Sequence, residues 1–237
     1  MSEWKQKRFW KVAEATAVHG GWTVTLDGRA VKTPAKAALV LPTDTLARAI
    51  AAEWQQQEDV VNPLSMPFTR SANAAIDKVR VQHAEVAEML SGYGDSDLLC
   101  YRSDAPAGLV QRQTETWDPY LDWAAAQFGA RLAPRTGVMH AGQDADALAR
   151  LSRAVHALDD FELAAFHDLV GLSGSLILGF AAAHDVAPTP EIWAASRVDE
   201  AWQEEQWGED EEATVTAEIK KVAFLHAKSF FDAAKQR

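Results

Sequence analysis

The segment DEAWQEEQWGEDEE, residues 199–212, holds eight acidic residues and no Lys or Arg, and sets Trp202 and Trp207 among them. Two kinds of chemistry suit such a stretch. Neighbouring carboxylates can act as general acid and base, but nothing in the sequence selects a pair from the 34 Asp and Glu of the chain. Alternatively, an acidic surface with aromatic anchors can recognise a basic part of another polypeptide. The plainer reading is a solvated helix face with two core anchors.

Helix electrostatics divide the stretch. If a helix ends at Trp207 with Gly208 beyond it, then Glu209, Asp210, Glu211 and Glu212 open the next helix, where the dipole favours anions. Glu204 and Glu205 fall in a last turn, where it disfavours them, and Glu200 repels Glu204 at i, i+4. Trp202 and Trp207 are about 140° apart on a helical wheel, so they cannot share one core. One packs inside and the other stays near the surface. The two readings of the stretch remain open at this point.

Other chemistries find less support. Neither GxGxxG nor GxxxxGK[ST] is present, so no phosphate-cradling loop is expected. The seven histidines form no HExxH and no i, i+4 pair. GDSD at 94–97 opens like a calcium loop but lacks the later ligand and glycine, and reads as a turn or helix cap. GLSGS at 171–175 misses the final glycine of a nucleophile elbow and lies in an apolar helical run. Close helix packing better explains Gly171, Ser173, Gly174 and Gly179. The single Cys100, flanked by Leu98, Leu99 and Tyr101, reads as a buried small hydrophobe and excludes an intrachain disulfide. No cofactor and no metal is expected.

The net charge of −11 argues against nucleic acid and anionic membranes as partners. The most apolar run, Leu169 to Ala183, is too short to span a bilayer. The N-terminus MSEWKQKRFWK lacks the apolar core of a signal peptide. Together these suggest a cytoplasmic protein, or the mature form of an organellar one.

The elements that must position these residues are legible in outline. Trp22, Val24 and Leu26 alternate with Thr23 and Thr25, predicting a half-buried strand. Asp27-Gly28 supplies a two-residue hairpin turn, with a return strand over 29–33. AALVLPT offers another short strand. Thr43 is a candidate N-cap for a helix burying Leu46, Ile50 and Trp54. Pro63 and Pro67 interrupt the pattern. One buried stripe then runs from Phe68 through Ala72, Ile76, Val79, His83 and Val86 to Leu90, with His83 as a hydrogen-bonded core residue. Beyond Gly92 the pattern is wholly helical, with helices near 107–130, 144–158, 160–184, 189–207 and 211–235. Pro119 should start or kink the first. The expected architecture is α+β: a small N-terminal β-rich region, 1–85, followed by a C-terminal all-helical bundle, 86–237.

Several stretches taken in order, KRFWK, GWTVTLDGRAVKTPAK, LPTDTLARAIAAEW, MPFTRSANAAID, DLLCYR, WDPYLDWA and EEQWGED, resemble one family. It is that of the F₁-ATPase assembly chaperones acting on the α subunit, the Atp-twelve family of mitochondria and α-proteobacteria. LDGRAVKTPAK and EQWGED are the specific pieces. Ser71 and Ala74 depart from the family's more usual leucine and threonine. The resemblance implies an ATP-independent chaperone rather than an enzyme. It would bind the unassembled ATP synthase α subunit, shield the surface meant for β, and work as a monomer in bacterial cytoplasm or mitochondrial matrix. The family's E-x-W-G motif matches Glu205-Gln206-Trp207-Gly208, and its N-terminal tryptophan matches Trp54. Glu204, Glu205, Trp207 and Asp210 are therefore the expected partner-binding residues, with Gly28 and Trp54 as motif positions in the N-terminal region. Rival readings are an adaptor with another client and a carboxylate-based enzyme.

Overall fold

The computed structural model describes residues 7–137 and 139–235. They divide into two compact units: the described residues through His83 with Asp160–Ala165 and Ser229 onward, and Ala84–Asp159 with Phe166–Lys228. The architecture is the expected α+β one, a small N-terminal β region followed by helices.

The first unit begins with an antiparallel sheet of β1 (Ala13–Val18), β2 (Gly21–Leu26) and β3 (Arg29–Ala30) in that order. The Asp27-Gly28 hairpin forms as expected. Leu26 pairs with Arg29, and both turn residues take positive φ, 47° and 80°. Asp27 also accepts hydrogen bonds from Lys11 N and Val12 N, so the turn fixes the approach to β1. Those amides hold its carboxyl below the ordinary range. Val24 and Leu26 are buried and Trp22 half-buried. The return strand is shorter than 29–33, and the AALVLPT stretch contributes isolated bridges, Lys32 to Ala38 and Trp22 to Leu41. β1 carries mostly exposed side chains, so alternation did not mark it.

Against β1 and β2 packs α1 (Asp44–Gln55), capped by Thr43, whose Oγ1 accepts from Leu46 N at 3.1 Å. Leu46, Ile50 and Trp54 are buried as predicted, and Trp54 meets Trp10 edge-on at 5.2 Å between ring centroids. α2 (Pro67–Asp77) has no side-chain cap of its own at Met66. Glu53 of α1 supplies one, accepting from Phe68 N (2.6 Å), Thr69 N (2.8 Å) and Thr69 Oγ1 (2.6 Å).

The single long helix expected from Phe68 to Leu90 is two. α2 ends at Asp77, a 3₁₀ turn spans Val79–Val81, and α3 is His83–Ser91. Asp77 is used as an anchor, accepting from Thr33 Oγ1 and Ala35 N. The 3₁₀ turn resets the helical phase, leaving Val81 exposed between buried Val79 and Ala87.

The second unit is built on α4 (Ala107–Phe128), which runs through Pro119 without ending there. α4 packs against α5 (Ala145–His156), α7 (Leu176–Ala183) and α9 (Val198–Trp207), and the unit also holds α8 (Thr189–Ala195), α6 (Asp160–Ser173) from Phe166 onward and α10 (Glu211–Ala234) as far as Lys228. The region is not wholly helical: β4 (Tyr101–Arg102) pairs in parallel with β5 (Arg135–Thr136). The predicted 160–184 helix breaks at Gly174, with Ser175 capping α7, and the 189–207 helix breaks at Ser196–Arg197. Gly179 does admit a close neighbour, since an added Cβ would stand 2.6 Å from Val170 Cγ2, while nothing crowds Gly171.

GDSD acts as a cap. Asp97 is fully buried and accepts from Leu99 N, Ile177 N and Ser175 Oγ at 2.8–3.1 Å. Burial pushes its carboxyl up to about 6 against the pull of those donors. Cys100 is buried, its thiol pushed up to about 12 by burial.

Two outcomes follow. Gly28→Val should cost about 1–2 kcal/mol, because φ of +80° is a left-handed conformation that β-branched residues resist; open space around the position makes steric clash irrelevant. A denaturant melt measures it. Asp97→Ala should cost about 2–4 kcal/mol by leaving buried amides unpaired. Its folded-state value near 6 exceeds the ordinary 3.8. The wild type, and not the Ala variant, should therefore gain stability from this site as pH falls from 7 towards 5. Thermal melts of both proteins across that window check it.

Candidate partner-binding surface

α4 holds the end of α8 and the length of α9 through a set of side-chain contacts. The buried indole of Trp117 donates to the Ala195 carbonyl at 2.7 Å. Gln113 donates to Asp199 at 2.6 Å and accepts from Ser103 N. Arg112 forms a bidentate pair with Glu205 at 2.7 and 2.8 Å. Its guanidinium also lies 4.9 Å from the Trp202 ring centre. Trp202 in turn rests on α4 where Gly108 leaves room, since a Cβ there would stand 2.7 Å from Trp202 Cη2.

This geometry separates the two tryptophans as the helical wheel requires. Trp202 is half-buried under Arg112, and Trp207 is 80% exposed. α9 stops at Trp207 because Gly208 leaves the helix at φ +91° while its amide bonds back to Glu204 O. Asp210 then caps α10, accepting from Ala213 N at 2.8 Å. Glu211 and Glu212 occupy the first turn.

The acidic cluster is more compensated than its sequence suggests. Glu205 lacks a cation within its own stretch, but Arg112, 93 residues away, supplies one. Their mutual hydrogen bonds lower the Glu205 carboxyl and raise the Arg112 guanidinium. The contribution of this pair is present above the ordinary carboxylate range and fades as pH falls through it. Arg197 serves Glu200 at 2.7 Å and reaches Glu204 at 4.0 Å. Glu205→Lys should therefore destabilise the free protein, although the dipole alone would make the replacement favourable. The substitution removes an ion pair and sets two cations face to face.

Glu204, Glu205 and Trp207 share the last turns of α9, with Asp210 just beyond the Gly208 turn. Glu204 also lines a shallow groove with Trp193, Arg197, Glu209, Ala217 and Lys221. Trp54 and Gly28 belong to the first unit and have packing and turn roles there. Arg112, which orders Glu205 and covers Trp202, had no signal in the sequence linking it to the acidic stretch. Among the described residues no group of three or more His, Cys, Asp or Glu is placed to hold a metal. No helix among them is long and apolar enough to cross a membrane.

Residues 7–125 match the family model described as ATP12 chaperone protein. Of the curated relatives, the mitochondrial protein atp12 of Schizosaccharomyces pombe is 25% identical over 219 residues, covering 87% of this chain and 75% of its own. The crystal structure of Atp12 from Paracoccus denitrificans is 47% identical, covers 98% of this chain and all of its own, and superposes with a TM-score of 0.96. An Agrobacterium tumefaciens protein, 40% identical, covers 98% of this chain and 87% of its own with a TM-score of 0.92. The family match stops inside α4, so the acidic stretch is tied to the family by the solved structures, which span it. With half the chain matched by the family model and nearly all of it by solved relatives, this protein belongs to the ATP12 chaperone family, the F₁-ATPase assembly chaperones its motifs resemble.

Proposed function

We propose that this chaperone binds the unassembled α subunit of F₁-ATPase and shields the surface that α presents to β. It leaves when the α/β head forms, and it needs neither nucleotide nor a catalytic group. It works as a monomer, in bacterial cytoplasm or in a mitochondrial matrix. The observation that carries this reading is Trp207. A large apolar side chain, 80% exposed, ends a helix whose last turn and following turn are acidic. An exposed tryptophan rimmed by charge is what a recognition surface needs, and it contributes nothing to the fold it stands on.

Glu204, Glu205, Trp207 and Asp210 form the contact in this reading. Asp210 serves both as the cap of α10 and as a contact. Glu205 has a surface-facing carboxylate already oriented by Arg112, so a client Lys or Arg can share it without first ordering a long side chain. Trp207 supplies the apolar anchor. Gly28 and Trp54 support the N-terminal unit through its hairpin turn and its core.

A charge swap tests this. Glu205→Lys should lower the melting temperature slightly and weaken suppression of α-subunit aggregation, more strongly at low salt. Arg112→Glu combined with Glu205→Arg should restore the melting temperature, because the internal pair is rebuilt, but not the protection of α. If the swap restores both, Glu205 is structural only. If wild-type protein captures neither α nor β in a paired pull-down, the client is a different protein.

A further inference from the structure

The first half of α10 presents a second feature. Val215, Ile219 and Val222 are 57%, 65% and 59% exposed and follow i, i+4, i+7 spacing, so they form one apolar stripe. Around them residues 211–220 are exposed apart from half-buried Ala217. β-Branched residues are middling helix formers and gain nothing from exposure, so neither helix propensity nor core packing accounts for three of them here.

Charge on this half of α10 is sorted around the stripe. On a helical wheel Glu211, Glu212 and Glu218 lie within about 70° of its centre, while Lys220 and Lys221 lie about 130° away. The lysines line the grooves that also take in Arg197. Among the described residues, the side chains of Glu209, Glu211 and Glu212 make no hydrogen bond or ion pair. Glu218 is paired with Lys221 at 3.3 Å, so the acids left for a partner lie at the N-terminal end of the stripe, at Glu211 and Glu212, which follow Trp207 and the Gly208 turn directly in the chain.

We infer that this stripe is a second docking surface, and that its occupant is a basic amphipathic segment of the client, with aliphatic side chains flanked by Lys or Arg. Burial against such a segment removes three exposed aliphatic side chains from water and places cations beside the free glutamates. A neutral or acidic segment would bury the aliphatics but leave the glutamates unpaired or repelled. This inference rests on the client-binding reading above and extends it from the end of α9 to a face of α10.

The test uses the full-length protein carrying Val215→Ser, Ile219→Ser and Val222→Ser. It is scored by melting temperature, light scattering and suppression of aggregation of purified α subunit diluted from denaturant. The expected result is an unchanged melting temperature within about 2 °C, because exposed sites contribute little. The chaperone concentration needed for half protection should rise at least about tenfold, the loss of roughly 1.4 kcal/mol. If the triple variant melts early, Ile219→Lys at the most exposed position carries the same expectation. Unchanged protection by the stripe variant while Glu205→Lys is impaired overturns this inference and leaves the client-binding reading intact. Wild-type protein that protects α not at all overturns both. A wild-type dimer that the triple variant dissolves makes a second copy the occupant and also overturns it.

Discussion

The hydrogen bond from Trp117 to the Ala195 carbonyl is the constraint on which the second unit's surface depends. Ala195 ends α8, where carbonyls lose their helical partners, and a buried carbonyl without a donor is costly. A fully buried indole from the middle of α4 meets that need. With α8 fixed there, α9 starts at Val198 and runs along α4, held by Gln113 with Asp199, Trp202 over Gly108 and Arg112 with Glu205. Trp207 lies past the last of these contacts and stays in water. Its exposure is a consequence of where α9 is anchored and of how long it is.

Both units bring a carboxylate from another segment to the start of a helix, to α2, which has no side-chain cap of its own, and to α7, where it adds to the Ser175 cap. In the first, Glu53 of α1 reaches the first amides of α2; in the second, Asp97 reaches the first turn of α7 from nearly 80 residues away. Each carboxylate is oriented by several donors and favoured by the helix dipole, yet burial raises both above their ordinary values. Desolvation outweighs the donors in both, most strongly at the fully buried Asp97. The gain is positional, since a borrowed cap fixes the start of a helix relative to a distant segment within the same unit.

The eight acidic residues of 199–212 are thus not one feature. Asp199 is part of the α4–α9 contact, Glu200 and Glu204 share Arg197, and Glu205 belongs to Arg112. Asp210 caps α10. Glu209, Glu211 and Glu212 are left free, next to exposed Trp207 and the aliphatic stripe of α10. Surplus negative charge collects where apolar side chains are exposed, and this combination suits a basic partner better than it suits solvent.

Sequence by itself determined the features that are local. The Asp27-Gly28 turn follows from two residues tolerant of positive φ, the Thr43 cap from a hydroxyl one residue before a helix, and the Gly208 stop from a residue without Cβ. The wheel angle between Trp202 and Trp207 required that one be exposed. Family motifs supplied the chaperone assignment. Tertiary structure alone decided the rest. Apolar periodicity continued smoothly across Val79–Val81, Gly174 and Ser196, because a phase reset within a buried stripe leaves the composition unchanged. The stripe at Val215, Ile219 and Val222 has the spacing of a core face, and only the fold shows that no core covers it. Glu205 looked uncompensated because electrostatic partners are set by distance in space, and Arg112, 93 positions earlier in the chain, carries no trace of their meeting.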